Sequence, residues 1–330
     1  MGRRVDNCHT MVAVEIAAPA WSVCEAVVAR ATLALAHLPD HGAVPGFRLF
    51  WQRRVGEGSA TDRTELAFAT LPEGGHLVLG RHGACDVRLT HPSVALRHVL
   101  LRARRDAAGA LSLLGTDLGA GLPMLVGPSG EPARAFGAAG PTVLRLADEI
   151  LVALPVGAAP GSVPDESALR AVVDADPDQA RSIPRGLEEL AVRTMVSSLS
   201  RTRIRPFAAP LPVEVVSREA GAVFARVAMR GPQGRVVIEL SRAQLERVVL
   251  VGRYPRCRRG ELSPFSANVS RVHAGLVLEG DDLFVVDLAS TNRIGTPGAA
   301  GAHPRAVRVR TRGSVSLGPS DRLDIELASP

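Results

Sequence analysis

From Gly46 to about Val156, apolar and polar positions alternate in short runs, and Gly, Pro, Asp or Asn punctuates them. "FRLFWQRR", "TELAFATL", "HLVLGR", "DVRLT", "VLLRARR", "LSLLGTDL" and "VLRLADEILVAL" are all compatible with β-strands, whose side chains point alternately to opposite faces. After Leu211 the same texture returns, with "AVFARVAMRGPQGRVVIELSRAQLERVVLVGR" leading to "VHAGLVLEGDDLFVVDL". Many short strands at even spacing predict β-sandwiches, an all-β fold class.

Two stretches depart from this texture. "WSVCEAVVARATLALAHL" (21–38) sets Trp21, Cys24, Val28, Ala31, Leu35 and Leu38 at helical spacing, which predicts a helix within an N-terminal extension of residues 1–45. Residues 157–211 begin small, polar and Pro-rich, as a linker does. Within them "GLEELAVRTMVSSLSRT" aligns Leu187, Leu190, Met195 and Leu199 as one stripe, the pattern of a short helix.

The two β-rich regions match each other. Each runs strand, turn, strand, turn, strand and closes on Gly-Arg, at Gly80-Arg81 and at Gly252-Arg253. In each, a His-led strand follows (His98, His273), then a strand ending in Asp-Leu. A repeat this long predicts two homologous domains, 46–156 and 212–330, joined by the Pro/Gly-rich linker.

Composition narrows the function. The 330 residues carry a formal charge of +6 and contain no lysine, so every strong positive charge is an arginine, a planar fork suited to oxyanions. Cys8, Cys24, Cys85 and Cys257 lie far apart, with no CxxC pair, so neither a disulfide framework nor a zinc site is expected. Asp6 and Glu15 interrupt what would be a signal peptide's apolar core, and no run of about 18 uncharged apolar residues could span a bilayer. A cytoplasmic location is expected, with no cofactor and no metal.

The chemistry gathers in "SANVSRVHAGLVL" (266–278) and its surroundings. Gly252-Arg253 at a strand end, Ser270-Arg271-x-His273 and "DLASTN" (287–292) follow in that order. This three-part signature resembles the forkhead-associated (FHA) family over roughly residues 212–330. The resemblance implies an 11-stranded β-sandwich whose loops at one end bind phosphothreonine peptides. It implies phosphopeptide contacts from Arg253, Ser270, Arg271, Thr291 and Asn292, with Gly252 and His273 structural. Physical chemistry agrees, since a phosphate with nearly two charges needs convergent, charge-assisted donors. One departure stands out: Arg293 and Ile294 separate Asn292 from Gly295, where the family reads Thr-Asn-Gly-Thr. Arg293, with Arg256, Arg258 and Arg259, could favour acidic residues beside the phosphothreonine.

The first copy keeps Gly80, Arg81 and His98 but has Ala95, Leu96, Gly121 and Leu122 where the second has Ser270, Arg271, Thr291 and Asn292. It is expected to keep the fold and ignore phosphate. The leading expectation is therefore a phosphothreonine-binding adaptor in Ser/Thr kinase signalling. Its partner would be a phosphothreonine-containing protein, such as a kinase or its substrate. The alternative is phospho-independent assembly through both sandwiches. Nucleic-acid binding lacks a basic recognition helix or aromatic platform. Catalysis lacks a nucleophile elbow, Walker loop, GxGxxG or HExxH, so no enzyme is expected.

Overall fold

The computed structural model describes residues 8–10, 31, 44–55, 63–106, 108–127, 130–157, 203–206, 211–212, 222–253, 264–296 and 303–328. The expected all-β class is what the chain adopts. The first sandwich is built from β1 (Cys8–Thr10), β2 (Gly46–Val55), β3 (Arg63–Pro72), β4 (His76–Gly80), β5 (Val87–Arg88), β6 (Val99–Arg105) and β7 (Leu111–Asp117). It continues through β8 (Met124–Val126), β9 (Glu131–Ala133), β10 (Ala135–Ala139), β11 (Thr142–Leu146), β12 (Glu149–Val156) and β13 (Arg203–Pro206). Its sheets run β1-β3-β2-β12-β11-β8-β9 and β13-β10-β7-β6-β4-β5. Phe47, Leu49, Leu79, Leu101, Leu113, Met124 and Phe136 fill the space between them.

The second sandwich uses β14 (Leu211–Pro212), β15 (Val223–Gly231), β16 (Gly234–Ser241), β17 (Val249–Val251), β18 (Ala274–Glu279), β19 (Asp282–Asp287), β20 (Ala306–Val309), β21 (Arg312–Ser316) and β22 (Arg322–Leu327). Its sheets are β14-β17-β18-β19-β20 and β16-β15-β22-β21, enclosing a separate core around Leu240, Val251, Leu276, Val285, Val315 and Leu323. A single helical turn, α1 (Arg242–Glu246), joins β16 to β17. Ser241 and Gln244 cap it reciprocally, the S-x-x-Q pattern of a capping box.

The helix expected over 21–38 lies outside the described residues except for Ala31, which is helical and buried against Phe50, Val143 and Val152. The helix expected over 186–202 lies outside them as well. Arg203–Pro206, inside the stretch read as linker, instead adds a strand to the first sandwich by pairing antiparallel with β10. Pro206 at the strand's end and Pro210 after it hide the brief alternation of Arg203-Ile204-Arg205, and the pairing covers what would be an open sheet edge.

The two sandwiches pack face to face. One face of each inner strand feeds its own core, while the other meets the opposite sandwich. Val78, Leu100 and Leu118 lie against Val248, Leu250, Val277, Val286, Leu288 and Ala289 in one buried cluster. Burial on both faces explains why most of β18 reads as a continuous apolar run rather than clean alternation. The seam also encloses charge. Arg102 is fully buried, its Nη1 3.9 Å from Glu279 Oε1, and His76 Nε2 lies 3.2 Å from the same oxygen. Loss of water pushes the Arg102 guanidinium down to about 10, against the upward pull of Glu279.

A further carboxylate added to this seam would be taken out of water beside Glu279, which already faces Arg102 and His76. Val277→Asp should therefore cost several kcal/mol of docking energy and part the two sandwiches. Small-angle scattering should show expansion while the far-ultraviolet β signal persists; an unchanged radius of gyration would contradict the buried seam.

Candidate functional site

Strand pairing brings the signature segments together. Val251 opposes Ala274, and Ala274 opposes Asp287, so the exit of β17, the entry to β18 and the exit of β19 share one end of a sheet. Gly252 sits where the first of these exits crosses the second loop. A Cβ there would lie 2.1 Å from the Arg271 carbonyl oxygen, so only glycine fits. Gly80 has the same relation to Leu96, at 2.5 Å. The glycine is thus structural in both copies.

Arg253 is fixed by its backbone and by one side-chain nitrogen. Its amide donates to the Ser270 carbonyl at 3.1 Å, and its Nε donates to the Val269 carbonyl. Committing Nε to the backbone orients the guanidinium while leaving its end partly exposed. Arg81 repeats the arrangement with Ala95 and Val94.

His273 ties the loops to one another and is fully buried. Its Nδ1 accepts from the Ser270 amide at 3.0 Å, so the proton sits on Nε2, which donates to the Arg293 carbonyl at 3.2 Å. His98 does the same between the Ala95 amide and the Leu122 carbonyl. Each imidazole thus bridges two loops. Burial lowers the pKa of both rings.

Ser270 faces outward and meets the third segment. Its Oγ accepts from the Thr291 amide at 3.1 Å, which leaves the hydroxyl proton available to a ligand. Asn292 is exposed, and its Nδ2 donates to the Asn268 carbonyl at 2.7 Å. Thr291 and Arg271 are also exposed. The five expected contact residues, Arg253, Ser270, Arg271, Thr291 and Asn292, thus converge from three loops at one end.

The inserted pair has another role than the one expected. Ile294 is fully buried in the second core. Arg293, at φ 60, turns its carbonyl to His273 and lays Nη1 3.2 Å from Asp287 Oδ2. The insertion anchors the loop, and the Arg293 guanidinium is committed to Asp287. Arg256, Arg258 and Arg259 lie outside the described residues.

Sequence reasoning missed the carboxylates that hold these loops. Buried Asp287 accepts the Ser290 amide at 3.0 Å as well as Arg293, and in the first copy Asp117 accepts the amides of Gly119 and Ala120 at 2.9 and 2.7 Å. The repeated Asp-Leu was the available signal. Buried Asp321 accepts the Ser266 amide at 2.7 Å and its hydroxyl at 2.5 Å, fixing the second loop from the opposite sheet. No local pattern announces a pair 55 positions apart.

Two outcomes follow from these braces. Gly252→Ala should lower stability by on the order of 1–3 kcal/mol or more, because backbone must move; a melting temperature equal to the parent's would contradict it. The histidines make stability pH-dependent. Folded rings stay neutral, whereas unfolded ones take up protons near pH 6.5. Stability is therefore complete above about pH 6.5 and declines as the pH falls below it, through the lowered folded values. A His98→Asn/His273→Asn double variant should be weaker at pH 7.5 yet lose less between pH 7 and 5, as followed by denaturant melts.

No protein-family model and no curated protein matches the chain. Solved FHA domains do. The FHA-1 domain of Mycobacterium tuberculosis Rv1747 is 18% identical, with 32% of this chain and 99% of that one covered and a TM-score of 0.25. The FhaA FHA domain complexed with the intracellular domain of Rv3910 is 24% identical, covering 32% and 98%, with a TM-score of 0.23. The MEK1 FHA domain, solved with a HOP1 phosphothreonine peptide, is 16% identical, covering 34% and 97%, with a TM-score of 0.25. The chain is similar to these domains over about a third of its length, and its own strand pairing forms β-sandwiches with the signature loops at one end.

Proposed function

We propose that the second sandwich binds phosphothreonine peptides and that the chain is an adaptor in Ser/Thr kinase signalling. The observation that carries this reading is the convergence of Arg253, Ser270, Thr291 and Asn292 on one sheet end, each oriented by a backbone bond to a neighbouring loop. An oriented guanidinium, a hydroxyl and backbone amides suit a dianion with three acceptor oxygens. Asn292 then pairs with peptide backbone and sets the register of the bound strand. The partner is a phosphothreonine-containing protein, a kinase or its substrate; neither nucleic acid nor a membrane is required.

The first sandwich is phosphate-blind in this reading. Leu96 and Leu122 are 48% and 45% exposed at its corresponding end, and Ala95 offers no hydroxyl. A phosphate there would face methyl groups and lose most of its charge-assisted bonds.

Calorimetry on the full chain tests the proposal. A phosphothreonine peptide chosen from a library should bind, and its unphosphorylated twin should not. Arg253→Ala should remove about 2–4 kcal/mol of binding, whereas Arg81→Ala should leave it unchanged. Equal binding of both peptides would instead favour phospho-independent assembly. Acidic residues flanking the phosphothreonine, if preferred, should be preferred equally by Arg293→Ala, because that guanidinium is engaged by Asp287; an altered selection in a library screen would return Arg293 to the peptide surface.

A further inference from the structure

The loop that carries Thr291 and Asn292 is held from outside its own sandwich as well as from within it. In the first copy the corresponding loop braces itself. The Arg134 carbonyl accepts the Asp117 amide, and the Arg134 guanidinium pairs with the Asp117 carboxylate and donates to the Ala120 carbonyl at 2.7 Å. Arg305 is the matching residue of the second copy, since its carbonyl accepts the Asp287 amide at 2.8 Å. Its guanidinium has been drawn elsewhere. Nη1 stands 3.6 Å from Asp287, while Nη2 pairs with Asp86 of the first sandwich and lies 3.3 Å from the Ala84 carbonyl.

The missing brace comes across the seam. Arg97 of the first sandwich donates from Nε at 3.0 Å and from Nη2 at 2.7 Å to the Ala289 carbonyl. Ala289 stands at φ 55, where the first copy has Gly119 at φ 83. A left-handed alanine is unfavourable on its own, because its Cβ crowds the following carbonyl. Ser290, Thr291 and Asn292 come next in the chain, so the conformation at Ala289 aims the residues that face the peptide. Arg97 occupies the position matching Val272 of the second copy, so this fork is a feature of the first sandwich alone.

We propose that Arg97 is a positioning residue for the phosphopeptide site, and that the first sandwich works as a clamp on the second one's peptide loop. This rests on the phosphothreonine reading for its biological meaning, but the clamp itself is visible without a ligand. The copy that has lost its own phosphate contacts thereby completes the geometry of the other.

The experiment uses the full chain with Arg97→Gln, Arg97→Lys and, as a seam control away from the loop, His76→Ala. Amide hydrogen exchange at Ser290, Thr291 and Asn292 is measured without ligand. Affinity is measured by calorimetry with one phosphothreonine peptide selected by the parent from a library. Arg97→Gln should speed exchange at Ser290 and Thr291 and weaken binding by roughly tenfold, within the usual range of coupling between sites. Arg97→Lys, which cannot fork onto one carbonyl, should fall between. His76→Ala should leave both readings near the parent's. Unchanged exchange in Arg97→Gln, or an equal change in His76→Ala, would overturn the clamp. If the parent binds no phosphopeptide while Arg97→Gln still frees the loop, the phosphothreonine reading falls and the clamp stands. If the parent binds and Arg97→Gln binds equally well, the reverse holds.

Discussion

Burial of the inner sheets on both faces is the constraint on which the other features depend. Because Leu100, Val277, Val286 and Leu288 face the opposite sandwich rather than water, the strand ends that carry the loops are fixed relative to one another. A seam of this kind is stiffer than a chain connection alone, since its apolar packing excludes water. Arg102 and Glu279 enclosed within it add little net stability, for the cost of taking charge out of water offsets most of the attraction. Their effect is on register: sliding the sheets would strand both charges.

Divergence of the two copies follows from that geometry. Gly80 and Gly252 are both retained because each strand exit grazes the next loop's backbone. His98 and His273 are both retained because each bridges two loops through opposite ring nitrogens. These residues serve the sandwich itself. Ser270, Thr291 and Asn292 bond to one another's loops yet are not needed for the fold, since at the matching end of the first copy Ala95, Gly121 and Leu122 stand in their place. Residues that hold the fold and residues that face a ligand can therefore be separated by comparing the copies within one chain.

Much of this was legible in the sequence. Strand texture gave the all-β class, and the spacing of Gly252-Arg253, Ser270-Arg271-x-His273 and Thr291-Asn292 placed the residues that structure brings to one end. Local periodicity failed where the partner was distant. Arg203–Pro206 pairs with β10 across more than 60 positions, and Asp321 grips Ser266 across 55. The sequence marks Arg293 and Ile294 as a departure from the family's turn without showing what each side chain meets. An isoleucine beside an arginine in a polar loop already hints at a plug with a tether, and the buried Ile294 and Asp287-bound Arg293 are that arrangement. Arg97 carried no signal, because its partner is a backbone carbonyl of the other copy.

The absence of lysine acquires a structural consequence at this end of the molecule. Arg253 fixes itself through Nε and still presents its terminal nitrogens, Arg293 fixes a carboxylate, and Arg97 forks onto one carbonyl. Each case needs donors in a fixed plane, which an ammonium on a flexible stem does not provide. Arginines with their forks committed to backbone or carboxylate are also less free to attract anions at random. Among the described residues the site thus has cations that build the loops, Arg97 and Arg293, and others, Arg253 and Arg271, that stand at its outer end. In the proposed reading, selectivity for phosphate over unmodified threonine would follow from the oriented Arg253 fork, backed by hydroxyl and amide donors, rather than from a diffuse positive field.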